Sequence, residues 1–598
     1  MKRIIYAVLI FFLLVSLPVS ASSSQKYYPV ASDEWQMVNE LCHWAGVAGP
    51  TSNGPVTASQ LLHALERAEK YIDIDNEMLR SIKNMLSEDN SFYSDSLGSI
   101  SLTGELAPEM YLQTANPHST SSSDGWSTDS DWFVRSRSER ESLFSLILEN
   151  TVKDNFYGRL RFSFRQKSNP QDEDIWNKNL HFNFIGNILS QNFPFDGGIS
   201  LGTDGLSLII ARNRVSIGEG YTGNTAVGDN YDYQDFLKAG FYTKASSIFL
   251  TLTTFDSSHR LTSDTEELNP WGVRVSSFGG WRNIRHTAGY EIVLTDSLKL
   301  SCTLITLLDT TSSFDIRYLN PFIFFHNMYN FHQDSKEHRF STLEANNMVS
   351  LDVSWAVAKK WNMYLQVTMD QVQLPGENDE YMNEFEYTDP NAFGGLFNIS
   401  YTDIIKDKGI LNLYGEVVYN MAGMYLNSKY YDKDGNVTQF TKTGGTDNIR
   451  CWSQDYLVGY HRELESADDV AYSGYKYGPD CVTVSFGGTY RVPSLFSLSG
   501  AVFYMAHGEK GRGSDSSNYT FDDIDDTGNM NRLELFGTVE HTLVLKAEGE
   551  VQIFPFLSVS AGAAYSYRWN YRNTSGLTMP NLQGYVGIKL SSENFGVY

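Results

Sequence analysis

From about residue 135 onward, apolar and polar side chains alternate with a period of two, segment after segment. In Tyr157–Arg165, Leu160, Phe162 and Phe164 share one face, and Arg159, Arg161, Ser163 and Arg165 share the other. In Leu298–Leu308, Leu298, Leu300, Cys302 and Leu304 oppose Lys299, Ser301 and Thr303. In Leu351–Val357, Leu351, Val353, Trp355 and Val357 oppose Asp352, Ser354 and Ala356. In Leu557–Arg572 the apolar face ends in Tyr565, Tyr567, Trp569 and Tyr571, and the polar face carries Ser566, Arg568, Asn570 and Arg572. Successive side chains of a strand point to opposite faces, so each segment reads as a strand with one apolar and one wet face.

A soluble β-sandwich alternates in the same way. Two features favour a membrane barrel instead. Ile284–Thr295 and Leu535–Phe554 are longer than the usual soluble strand of about 5–6 residues. The connections also alternate in length. Short turns fall at Thr295-Asp296-Ser297, Lys359-Lys360, Lys406-Asp407-Lys408, Pro493-Ser494 and Phe554-Pro555, and between them lie long loops at 257–283, 309–345, 373–391, 422–480 and 507–533. Short periplasmic turns, long outer loops and aromatics at the end of an apolar strand face characterise outer-membrane barrels. The pattern predicts an all-β fold, a transmembrane antiparallel β-barrel over residues 135–598, with about 18 strands and 16 as the alternative even count.

The start of the chain sets the compartment. Lys2 and Arg3 precede an apolar run from Ile4 to Leu17, and Val19-Ser20-Ala21 supplies small residues for cleavage. Residues 1–21 read as a signal peptide cleaved near Ala21, too short to span a bilayer. No later run reaches the roughly 18 apolar residues of a membrane-spanning helix. Residues 22–98 read as a small helical periplasmic appendage. Glu34–Gly46 and Asn76–Leu86 have helical spacing, and Thr57 with Gln60 forms a capping-box pair. Residues 99–134 read as a linker that includes a candidate first strand, with Asn116-Pro117 and Asp124-Gly125 as turn signals. The location predicted is the outer membrane of a two-membrane bacterium. The expected partners are outer-membrane lipid and, during insertion, the barrel-assembly machinery, which the terminal strand Leu582–Leu590 and Tyr598 suit.

Composition agrees. Aromatics make up 14% of a chain whose mean hydropathy is −0.32, as expected when strands show lipid on one side and water on the other. The net charge of −25 argues against nucleic acid, which needs a basic footprint, and reads as solvated outer loops. Cys42, Cys302, Cys451 and Cys481 fit no zinc spacing. Cys451 and Cys481 are candidates for a disulfide, and Cys302 reads as a small hydrophobe on an apolar face.

The chain has no G-x-S-x-G, H-E-x-x-H or P-loop motif, so no catalytic residue, cofactor or enzymatic activity is assigned. His326, His332 and His338 recur every six residues in a long loop, which aligns no metal ligands. His43 and His63 read as surface or core histidines. The acidic runs Glu377–Glu380 and Asp522–Gly528 read as solvated loops. The second is a broken relative of a calcium loop that lacks its distal Glu.

The lumen is the more informative surface. If Leu160, Phe162 and Phe164 face lipid, Arg159, Arg161 and Arg165 point inward, as Arg568 and Arg572 do on a late strand. Asp352, Asp370, Glu416, Glu540 and Glu548 are inward candidates too. Two readings follow: a self-neutralised salt-bridge network, or a charged surface that grips an anionic polymer or selects solutes.

The stretch Arg317-Tyr318-Leu319-Asn320-Pro321-Phe322-Ile323-Phe324-Phe325-His326 resembles the arginine–aromatic–Leu-Asn-Pro segment of the Wzi-like capsule-assembly outer-membrane proteins. Asn347–Asp352 with Trp355, Gln366–Gln371, Gly487 and Gly537–His541 are similar to that family as well, and the likeness covers roughly residues 135–590. The resemblance implies a barrel of about 18 strands with a helical element near the periplasmic opening, attaching surface (capsular) polysaccharide to the cell. It implies no catalytic set, and the residues of the helical appendage match nothing in it. The candidate ligand-binding residues are Arg159, Arg161, Arg165, Arg317, Tyr318, Asn320, Tyr329 and Trp452, because aromatic faces stack on sugars and guanidinium forks grip carboxylates. Arg317 has a structural alternative, pinning a loop that folds into the barrel. The alternative function is a solute-conducting porin or substrate-selective channel.

Overall fold

A computed structural model of the chain describes residues 23–30, 32–72, 76–87, 93–94, 98–115, 140–164, 176–178, 196–230, 233–256, 282–310, 319–322, 344–370, 392–406, 408–431, 437–438, 449–454, 457–461, 468–509 and 533–592. The expected signal peptide, Cys451's side chain, the evenly spaced histidines, both acidic runs and Tyr598 lie outside the described residues.

The alternating segments form a closed wall of 18 antiparallel strands. Strand β1 runs through Gly98–Leu106 and resumes as Glu109–Gln113 beyond a break at Ala107-Pro108. Proline has no N–H for a ladder, so it sits where a strand can spare a donor. Its carbonyl still accepts from Ile588 N at 3.0 Å. Then come β2 (Phe144–Val152), β3 (Phe156–Phe164), β4 (Asp196–Thr203), β5 (Leu206–Asn213) and β6 (Gln234–Tyr242). They are followed by β7 (Ser246–Asp256), β8 (Arg282–Thr295), β9 (Leu298–Thr310), β10 (Glu344–Ala358), β11 (Trp361–Met369) and β12 (Phe393–Ile405). The wall ends with β13 (Gly409–Asn420), β14 (Cys481–Val492), β15 (Phe496–His507), β16 (Glu540–Phe554), β17 (Leu557–Trp569) and β18 (Thr578–Ser591). Each strand pairs with the next, and β18 returns to β1 through Gln583↔Gln113 and Leu590↔Leu106. Closure leaves no row of unpaired backbone groups exposed to lipid.

The odd-even pattern sorts the side chains as expected. Leu351, Leu365, Phe397, Val417 and Val502 stand exposed on the outside, while Asp352, Gln366, Asn398, Glu416 and Arg285 are buried within. An apolar belt that encircles the wall suits hydrocarbon, not water. Among the described residues no helix is long and apolar enough to cross a membrane.

The expected short turns all join neighbouring strands at one end of the barrel. Lys360, Lys406 and Ser494 take left-handed φ values of 73°, 53° and 59° there, the conformation a tight reversal demands. Two strand boundaries differ from the alternation. Residues 535–539 are irregular, and β16 begins at Glu540. β17 stops at Trp569, and Asn570, Arg572 and Asn573 turn left-handed. Tyr571 is therefore tucked in, 8% exposed, and only Tyr565, Tyr567 and Trp569 continue the outer face. Arg572 likewise leaves the inward series, its backbone N–H donating to Glu540.

Helices α1 (Asp33–Ala45), α2 (Ala58–Ala68) and α3 (Glu77–Ser87) form a cap with its own apolar core, including Leu41, Leu61, Leu65 and Ile82. Ser32 caps α1, Gly46 closes it at φ 80°, and Thr57 and Gln60 form the reciprocal capping box of α2. The cap docks on the short-turn end. Lys360 N donates to the His43 carbonyl at 2.9 Å, Ala48 N to that of Asp296 at 2.8 Å, and Ser59 Oγ to Asp204 at 2.7 Å.

A candidate binding cavity in the lumen

The lumen is not empty. The connection between β5 and β6 contributes residues 214–230, which fold back inside the wall. This segment carries Gly218, Gly220, Gly223 and Gly228, and the backbone at Gly218 and Gly223 lies at φ 132° and 124°, where a side chain would be strained. At Gly218 a Cβ would fall 2.1 Å from Asn224 Oδ1. The segment also buries Val215, Ile217, Ala226 and Val227.

Inward side chains hold the segment down. Glu416 accepts from Tyr221 N (2.7 Å), Thr222 N (2.8 Å) and Thr222 Oγ1 (2.6 Å). Gln366 accepts from Thr225 N and Oγ1, both at 2.8 Å, and donates to Asp352 at 2.7 Å. Lys299 Nζ lies 2.9 Å from Glu219 and also donates to the Pro50 carbonyl of the α1–α2 connection. Ser216–Ile217 pairs with Asn53–Gly54 of that same connection. Wall, inner segment and cap are thus one bonded unit.

What remains open is a cavity of about 1160 Å³, lined by α1, the inner segment and the inner faces of β1–β5, β11–β16 and β18. Arg159 and Arg161 reach it. Arg159 lies 3.5 Å from Glu149 and 3.3 Å from Asp196; Arg161 lies 3.0 Å from Glu105 and 3.8 Å from Glu141. Lys589 also meets Glu105 (3.1 Å) and Glu141 (3.5 Å), and Lys26 meets Glu149 at 4.0 Å. Lys26, Arg159, Arg161 and Lys589 face Glu105, Glu141, Glu149 and Asp196, so the cluster is self-neutralising. The two arginines find these partners and not the carboxylates singled out from the sequence. Asp352 is held by Tyr364 and Gln366, Asp370 by Tyr425 N, Glu540 by Arg572 N, and Glu548 meets Lys546.

The other candidates are not gathered here. Leu319–Phe322 forms a turn closed by Phe322 N donating to Asn320 Oδ1 at 3.0 Å. The Pro321 carbonyl accepts from Tyr290, and the Phe322 ring lies 6.0 Å from that of Tyr290. Tyr290 is outward, alternating with inward Glu291, so Asn320 sits against the outer face of the wall, apart from Arg159 and Arg161. Arg165, Arg317, Tyr318 and Tyr329 lie outside the described residues. Trp452 is placed only by its strand, Ile449–Gln454, which pairs with Leu426–Tyr431 in a small separate sheet. Cys481 is buried with Sγ 3.4 Å from the Gly478 carbonyl, and its suggested partner is outside the described side chains.

Sequence reasoning passed over Tyr221 and Tyr414, whose rings stack at 3.9 Å and 2° beside the cavity. It also missed Arg491, which joins β14 to Gln36 (2.6 Å), Glu40 (3.4 Å) and Asp33 (3.5 Å) of α1. The signal the sequence carries here is four glycines beside the apolar residues Val215, Ile217, Ala226 and Val227, in a stretch to which the sequence reading assigned no element.

No protein-family model and no curated protein sequence matches this chain. Among solved structures it is similar to Wzi, described as an outer-membrane protein involved in group 1 capsule assembly in Escherichia coli and a carbohydrate-binding β-barrel. The TM-score is 0.51 at 11% identity over 94% of this chain and 99% of that one. The channel DcaP of Acinetobacter baumannii gives a TM-score of 0.32 at 9% identity over 84% of this chain and 99% of that one. OprD of Pseudomonas aeruginosa gives 0.33 at 8% identity over 82% and 95%. At such identities the likeness to Wzi is one of fold, and the chain is folded as an outer-membrane β-barrel.

Proposed function

We propose that this protein is an outer-membrane barrel that binds surface polysaccharide and helps retain or assemble it at the cell. The observation that carries this reading is the cavity beside a bonded plug. Residues 214–230 and the helical cap occupy the lumen and are tied to its wall, while a polar, aromatic-bordered cavity of about 1160 Å³ remains. A pore for solute flux has little use for a fixed plug, whereas a binding site gains from walls that do not move. The Wzi fold, described for a carbohydrate-binding barrel, supports the same reading. Because Arg159 and Arg161 already face four carboxylates with Lys26 and Lys589, an uncharged polysaccharide suits the cavity better than an acidic one.

The second reading is a selective channel, favoured by the cavity's extent along β1–β5, β11–β16 and β18. Two measurements decide between them. A deletion strain should release its surface polysaccharide into the medium while small-solute uptake stays normal, and the purified barrel should conduct poorly in a planar bilayer. Retained polysaccharide with lost uptake and a steady large conductance would make it a channel.

A further inference from the structure

Where α1 meets β11, β12 and β13, the cavity has a floor unlike its charged wall. Inward side chains there are almost all neutral and polar. Asn362 pairs across strands with Ser400, Ser400 with Tyr414, and Thr402 with Asn412. From above, α1 presents Asn39 and His43, one turn apart, and His43's own carbonyl fixes the helix to Lys360 N at 2.9 Å. Asn362, His43 and Asn412 are 1%, 3% and 7% exposed. Yet Asn362 Oδ1, His43 Nε2, Asn412 Oδ1 and Asn39 Oδ1 meet no protein partner, and all four side chains line the cavity. Asn412 Nδ2 reaches the Tyr221 hydroxyl at 3.3 Å and also bonds the Glu40 carboxylate.

A buried polar atom without a partner costs about 1–3 kcal/mol, and native interiors keep few of them. Such atoms occur elsewhere in the lumen too, but here four of them line one cavity beside an aromatic face, and together they point to a ligand that supplies the missing bonds. The donor set decides its class. Amides and a histidine offer both donors and acceptors, as hydroxyls require. The nearby cations are matched, Arg491 by Glu40 and Asp33 and Lys299 by Glu219, so an anionic ligand would find no counter-charge there, and Glu40 Oε2 is a further buried acceptor without a partner. Tyr221, 38% exposed and stacked on Tyr414, offers the flat apolar face on which a sugar's C–H face packs.

We propose that this floor is a subsite for one uncharged pyranose unit of a saccharide chain, held by Asn39, His43, Asn362 and Asn412 and stacked on the Tyr221–Tyr414 pair. The proposal rests on the polysaccharide-binding reading and narrows it to one place and one sugar class. It puts the sugar at the helical cap, deep in the lumen at the short-turn end.

The test uses the full mature barrel in detergent, titrated by calorimetry with neutral hexose hexasaccharides and with uronic-acid hexasaccharides. Asn362→Leu and Asn412→Leu are the informative variants. Asn362→Leu removes a buried atom without a partner, so its unfolding temperature should hold or rise; Asn412→Leu also loses the bond to Tyr221, and its unfolding temperature should fall modestly. Each should weaken neutral-saccharide binding by about tenfold or more, the worth of a buried hydrogen bond to a ligand. Wild-type protein that binds a neutral saccharide, with both variants binding it equally well, would overturn the subsite and leave the polysaccharide reading intact. Tighter binding of uronic-acid chains, unaffected by the two variants, would overturn the subsite as well. No binding of any saccharide by the wild type would sink both.

Discussion

Lys299→Met should loosen the inner segment and the cap while leaving the wall intact. The Lys299 and Glu219 side chains are 5% and 4% exposed, with Nζ 2.9 Å from the carboxylate. Removing the ammonium leaves Glu219 with Ser354 Oγ at 3.1 Å and strips the Pro50 carbonyl of its donor. Breaking a buried pair from one side costs about 3–5 kcal/mol. The low end of that range is a shift of more than about a hundredfold in the docking equilibrium. Hydrogen exchange read by mass spectrometry should therefore show amides of residues 214–230 and 47–57 losing about two to three orders of magnitude of protection, with β10 and β11 unchanged. The double variant Lys299→Met/Glu219→Gln, with no stranded charge, should recover most of the loss. Wild-type protection in the single variant, or a double variant as unprotected as the single one, would refute the pinning role of this pair.

In the cap, burial pushes Glu40 up to about 7 and His43 down to about 4. Glu40 thus favours docking below pH 4.5 and loses that benefit as pH rises through 7, while His43 favours docking above pH 6.5 and loses it as pH falls through 4. The two slopes oppose each other. Glu40→Gln should make cap protection fall on acidification, and His43→Gln should make it fall on alkalinisation, both measured by hydrogen exchange of α1. With the native cysteines replaced, Ser575→Cys, in the connection between β17 and β18, should react with an impermeant thiol reagent on intact cells and Asp154→Cys should not; the opposite pattern would invert the barrel. Arg161→Gln should cost about 1 kcal/mol or less, because the pair is partly exposed and Lys589 still faces Glu105 and Glu141. Polysaccharide retention should not change, and shedding by this variant would restore the arginine-grip reading.

The wall was legible in the sequence because a period of two is imposed by strand geometry and reinforced by lipid. Leu351 and Asp352 cannot exchange faces without exposing a carboxylate to hydrocarbon, so alternation there has one solution. The α2 capping box was legible for a local reason: Thr57 and Gln60 satisfy each other's backbone within one turn. The ends of β16 and β17 were not, since alternation runs on through Tyr571 and Arg572 while the backbone turns left-handed at Asn570. The lumen was legible in kind but not in detail. Inward arginines follow from the period, but their partners come from strands far apart in sequence, Glu105 and Asp196 among them. The β5–β6 connection has no periodicity at all, and its buried fate shows only in Gly218 and Gly223 beside Val215 and Ile217. The place of Asn320 was not legible, because a sequence motif says which residues travel together and not which side of the wall they reach.

A barrel in lipid needs its outward belt and its closed backbone ladder to stand, and its inner face need only be wet. This inner face goes further. Glu416, Gln366 and Lys299 each bond several groups of the inner segment or cap, and Lys238 donates to both Asn53 and Pro55 carbonyls, at 2.6 and 2.7 Å. Buried polar groups are tolerable only when bonded, and such a network then has one low-energy arrangement. The segment is therefore a fixed part of the lumen, and displacing it would strand several partners at once. A ligand entering beside it meets walls already in place and spends no binding energy ordering them. At the floor beside α1, the buried polar atoms that the network leaves without partners are places where a ligand gains, because the protein offers them no competing bond.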